Sequence, residues 1–228
     1  MISIFRALTL KHLNAALAIG LTTACLSSAA GTVSVTVTDR SGAVVQNAVV
    51  VVTTKQPHTL KGKWSDTAVV NQAKMKFQPL LTILPVGGKV TFVNNDPWEH
   101  HVRASAAGIA QFLDKDAGGG FSLVLDGKQE GKPAKSGDYV FAKAGAVQLG
   151  CHLHSAMQAH VYVTDSPWTD TTDATGKVVF NDVPDGAAEI KVWVSDQLQD
   201  LPATAAVVGA KPFNASIQLK VNVRRRSS

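Results

Sequence analysis

Cys151, His154 and Met157 recur at three-residue intervals in the run Cys151-His152-Leu153-His154-Ser155-Ala156-Met157. A thiol, an imidazole and a thioether so spaced can converge on one ion from a single loop. They offer one soft anion, one borderline nitrogen and one weak sulfur donor. Completed by a second imidazole, that set suits a copper ion alternating between Cu(I) and Cu(II). The missing imidazole is available upstream, in Asn94-Asn95-Asp96-Pro97-Trp98-Glu99-His100-His101. His152 also makes a His-x-His pair with His154, a feature of type 2 and trinuclear copper sites. A trinuclear cluster needs several such pairs. The chain has seven His, of which His12 lies in the leader and His58 and His160 stand alone. A binuclear copper centre needs two cysteines and is excluded on similar grounds.

The cysteine count sharpens the point. Residues 1–30 read as an export leader: Arg6 and Lys11 form a positive start, 13–25 is a short apolar run, and Ser28-Ala29-Ala30 supplies small residues for cleavage. The apolar run is short for a bilayer span, and no later stretch approaches the required length, so no transmembrane segment is expected. Cleavage after Ala30 removes Cys25, one of two cysteines. The lesser alternative, lipoprotein processing at Cys25, would leave a lipid anchor. The mature chain then carries one thiol, Cys151, into an oxidising compartment, the periplasm, where an unpaired thiol demands a reason. Metal ligation supplies one and protects the sulfur.

Charge says less. The net charge of +5 falls to +3 without Arg6 and Lys11, and Arg224-Arg225-Arg226 forms a short basic tail over 224–228. No basic patch with interleaved aromatics points to nucleic acid. No Ser/His/Asp set, phosphate-cradling loop or carboxylate pair points to an enzyme.

The elements that must position these donors read as β almost throughout. Alternation at 33–37 and a β-branched run at 48–53 open the series. Strands follow at 74–77, 89–94, 121–125, 138–141, 147–151, 159–164, 177–180, 189–194 and 216–223, while 104–120 allows at most a short turn. Many short strands between turn residues predict an all-β protein built of sandwiches. Strand 89–94 runs into the His-bearing segment and strand 147–151 runs into Cys151.

Over roughly residues 65–165 the chain resembles the cupredoxins, the blue copper domains of plastocyanin and amicyanin type. Within them it is similar to proteins labelled as methylamine-utilisation proteins. Phe77-Gln78-Pro79, Pro85-Val86-Gly87-Gly88-Lys89-Val90-Thr91-Phe92, Asn95-Asp96-Pro97-x-x-His100 and Cys-x-x-His-x-x-Met carry the likeness. The resemblance implies a Greek-key β-sandwich holding one type 1 copper per chain. It makes His100, Cys151 and His154 the trigonal ligands and Met157 the weak axial one, with Asn95 tying the two ligand segments together. It favours His100 over its neighbour His101. The family often has a proline within the ligand loop, where this chain has Leu153 and Ser155.

Residues 172–180 and 183–193 resemble the back half of a carboxypeptidase-regulatory-like, transthyretin-like sandwich, and 33–52 matches the front half. The expected organisation is 1–30 leader, 31–55 first strands of this accessory sandwich, 56–165 copper domain, 166–223 the accessory remainder and 224–228 tail. A plain tandem arrangement is the alternative. The expected role is a periplasmic one-electron carrier, not an enzyme, that meets redox partner proteins through His154 framed by Leu153 and Ala156. The alternatives are a copper storage or delivery protein, and a non-catalytic partner in an amine-oxidising system. Delivery proteins favour Met-rich sites, and this chain has three Met.

Overall fold

The computed structural model describes residues 30–60, 64–108 and 120–224. The leader before Ala30, the 109–119 part of the 104–120 stretch and the tail after Arg224 lie outside them. The described residues form no helix; they build sixteen strands in four sheets, as an all-β protein should.

Two sheets enclose the donor-bearing core. One runs β4 (Lys76–Gln78), β3 (Thr67–Ala73), β6 (Lys89–Asn94), β9 (Lys135–Val140). The other runs β5 (Leu81–Pro85), β11 (Gln158–Thr164), β10 (Gly145–Cys151), β7 (His100–Ala106), β8 (Ser122–Leu125). Alternate residues of a strand face opposite ways. Val90 and Phe92 of β6 therefore share one core with Val147, Leu149 and Cys151 of β10, and Asn94 is buried at the end of β6.

The second pair of sheets is β13 (Lys177–Pro184), β1 (Ala30–Thr38), β16 (Phe213–Gln218) and β12 (Trp168–Thr171), β2 (Val49–Thr54), β14 (Gly186–Trp193), β15 (Thr204–Val208). β1 pairs with β13 and β16, and β2 with β12 and β14, so these two early strands join strands beyond residue 165.

The Val49-Val50-Val51-Val52 run has a specific cause. Val50 and Val52 enter the core of their own sandwich, with Val35, Phe180 and Ile190. Val49 and Val51 point the other way and join Trp193, Leu81, Ile83 and Tyr162 between the two sandwiches. A strand buried on both faces loses its alternation and reads as continuously apolar. β5 is similar, with Thr82 and Leu84 inward and Leu81 and Ile83 toward the other sandwich. The crossing from one sandwich to the next is pinned. Thr164 and Thr169 share a 2.6 Å hydroxyl hydrogen bond, and Ser166 donates from Oγ to the Val52 carbonyl.

Candidate metal centre

β6 ends at Asn94, a turn follows, and β7 begins at His100. Strand alternation sends His100 into the core, with no exposed surface, and His101 outward. On the neighbouring strand Cys151 is the last residue of β10, opposite Val102, and is buried. The chain then folds back: the Met157 amide donates to the His154 carbonyl at 2.9 Å, and the Cys151 amide to the Met157 carbonyl at 3.2 Å. This closed loop brings His154 beside Cys151 and returns Met157, fully buried, to the same core.

Cys151 Sγ lies 3.6 Å from His100 Nδ1 and 3.6 Å from His154 Nδ1. The three donor atoms all fall within 4.8 Å of one another, in a cluster open to solvent only on the His154 side. The two imidazoles meet edge to face at 5.0 Å. A first-row cation with sulfur at about 2.3 Å and nitrogen at about 2.0 Å, at angles from tetrahedral to trigonal, separates the two donors by about 3.5–3.8 Å. The donor types and spacing therefore fit a copper ion.

The opposite edge of His100 is also held. Its Nε2 is 2.9 Å from Asp96 Oδ2, so Nε2 donates its proton to the carboxylate and Nδ1 is the nitrogen that faces the sulfur. The same carboxylate accepts the amides of Lys74, at 2.6 Å, and Met75, at 2.9 Å. Burial pushes the Asp96 carboxyl up, but the His100 hydrogen bond and the two amides outweigh it and hold it below the ordinary value. Lys74 and Met75 both adopt left-handed φ of 55°, as in the tight hairpin turn linking β3 to β4. The strand expected at 74–77 is therefore corrected: 74–75 is a turn without the usual Asn-Gly, stabilised by a carboxylate distant in sequence.

Asn94, not Asn95, ties the His segment down. Its Nδ2 donates to the carbonyls of Trp98, Leu125 and Asp126 at 2.8, 3.0 and 3.1 Å, and its Oδ1 accepts the Asp96 amide. Asn95 points outward and donates to Asn71 Oδ1. The segment after β8 lies flat on this loop: a Cβ on Gly127 would collide with the Pro97 carbonyl. Asp96 stands in the Asn95-Asp96-Pro97-x-x-His100 run, which by itself does not show this role. An acidic residue four before the buried His was the available signal.

The remaining imidazoles stand elsewhere. His101 pairs with Glu99 at 2.7 Å on the outer face, beside His152. His58 is held by the carbonyls of Gln56 and Asp165, and His160 is buried against Trp193. Leu153 and Ala156 are exposed around half-buried His154.

No family model matches the chain, and no curated protein matches it. Among solved structures it is similar to amicyanin from Paracoccus versutus (Thiobacillus versutus), at 23% identity and a TM-score of 0.34, covering 50% of this chain and 97% of that one. It is also similar to the reduced Cu(I) form at pH 4 of a proline-to-glycine amicyanin variant, at 23% identity and a TM-score of 0.31, covering 50% and 98%. A methionine-to-alanine variant in its Cu(I) form matches at 22% identity, a TM-score of 0.31 and the same coverage. The donor set, rather than this likeness, carries the chemistry.

Proposed function

We propose that the chain is a type 1 copper protein acting as a one-electron carrier or electron-transfer module in the periplasm. In this reading His100 Nδ1, Cys151 Sγ and His154 Nδ1 hold the ion and Met157 gives a weak fourth contact. The observation that carries it is the pair of equal 3.6 Å sulfur-to-nitrogen separations in a buried cluster. Copper bound there would supply one-electron chemistry, with thiolate favouring Cu(I) and imidazole tolerating both states.

The chain's own residues account for the rest. Asp96 fixes the His100 ring and keeps its proton on Nε2. The β7–β10 ladder and the self-closed 151–157 loop hold the donors in place whichever state is present, so little must move when an electron passes. His154 is the one donor residue at the surface, and exposed Leu153 and Ala156 give a redox partner an apolar landing. A site made of four protein donors leaves no position for substrate, which argues for a carrier over an enzyme.

The leader and the single mature thiol support export. The pairing of β1 and β2 with β12–β16 supports a scaffold sandwich, 31–55 plus 166–223, interrupted by the copper domain at 56–165. A role in methylamine utilisation rests on the sequence resemblance alone.

The test is a visible spectrum of the mature protein with one equivalent of Cu(II), before and after ascorbate. An intense thiolate-to-copper band that bleaches and returns is expected. Cys151→Ser should abolish it, and Met157→Ala should keep it with altered intensity. A colourless adduct would overturn the carrier reading and leave copper delivery.

A further inference from the structure

The β7–β10 ladder has a second face. Val102 pairs with Cys151, and one step along His101 lies opposite His152, whose amide donates to the His101 carbonyl at 3.0 Å. Because successive residues take opposite faces, the step that puts His100 and Cys151 inside puts His101 and His152 outside. Their rings stack, with centroids 6.2 Å apart and planes 14° from parallel. The Glu99 carboxylate joins them, 2.7 Å from His101 Nε2. All three reach solvent: the His101 side chain is 26% exposed, Glu99 is 45% exposed, and His152 is exposed.

We propose that His101, His152 and Glu99 form a second, solvent-facing site for a divalent cation of the Zn(II) or Cu(II) class, back to back with the buried cluster. Two imidazoles and one carboxylate are a donor set for such borderline cations, and they lack the thiolate that makes the inner cluster selective for copper. Cross-strand neighbours carry their Cβ atoms about 4.5–5.5 Å apart, within the span two imidazoles need to share one ion. The rings must turn out of their stack to converge. Their exposure leaves room for that, and Glu99 is already beside one of them. Three protein donors leave coordination positions for water or for a side chain of a docking partner. The outer site does not depend on what the inner cluster holds.

The test is calorimetric titration of Zn(II) into the mature protein after one equivalent of Cu(II) has been added. One further equivalent should bind. Its affinity should fall by about tenfold or more in His101→Ala and in His152→Ala, less in Glu99→Gln, and not at all in His58→Ala. Far-ultraviolet circular dichroism checks that each variant is folded. Absence of a second equivalent, or an affinity indifferent to both His substitutions, overturns the site. Failure of the inner reading shows separately, as a missing thiolate band with the first equivalent; Zn(II) titrated into protein given no Cu(II) would then still bind with an affinity that follows His101 and His152.

Discussion

Asp96 serves three donors with two oxygens: the Lys74 amide on Oδ1, and the Met75 amide and His100 Nε2 on Oδ2. It thus couples a hairpin turn to the ring that faces Cys151. Asp96→Asn keeps the size but removes the charge and cannot accept all three bonds. Losing such a partner behind a ligating His costs about 10–100-fold in metal affinity. Competition for Cu(II) against a chelator of known strength should show a loss in that range, with the thiolate band still present; unchanged affinity would show that the carboxylate serves only the turn. The meeting of His100, Cys151 and His154 was legible, because Cys and His announce metal-binding chemistry by type and spacing. Asp96 was only half legible: an acid four before a His hinted at its bond to the ring, but the two backbone amides more than twenty positions upstream are marked by no side chain.

At the scale of elements, the loop between β6 and β7 decides whether His100 points correctly. Asn94 closes it with two N–H groups shared among three carbonyls and one accepted bond, while its neighbour Asn95 makes one exposed contact. Asn94→Ala leaves several part-buried carbonyls unpaired and should cost about 2–3 kcal/mol. Asn95→Ala should stay within about 0.5 kcal/mol. Urea unfolding of the two variants makes the comparison, and equal losses would refute the assignment. The same contrast explains which strands sequence revealed. β6, β10 and β11 are recognisable from their strand residues. β7 was missed because its first buried residue is a His. β5 was missed because it is five residues long, is broken by Thr82 and ends in Pro85. β3 was missed because the hairpin it belongs to turns through Lys74 and Met75.

At the scale of the molecule, the four sheets stack in one pile, and the middle contact is the one that joins the two sandwiches. Tyr162, one of two tyrosines in the chain, lies there, 5.8 Å from Trp193 ring to ring. Burial, with Asp200 and Asp165 adding repulsion, pushes its phenol up to about 12 from an ordinary value of 10.0. The sign follows from the proton count. Between those two values the folded chain keeps a proton that the unfolded chain has lost, so stability is complete below pH 10 and falls as pH rises toward 12. Two units correspond to a loss of the order of 2–3 kcal/mol. Tyr162→Phe keeps most of the ring packing and removes the titration, so the difference in unfolding free energy between wild type and variant should shift steadily in the variant's favour across that interval. Lysines titrate in the same range but cancel in the difference. Denaturant unfolding followed by tryptophan fluorescence at several alkaline pH values measures it. A difference independent of pH would mean that the phenol is not held neutral between the sandwiches, and that the two pack less tightly there than the Val49, Val51 and Trp193 cluster implies.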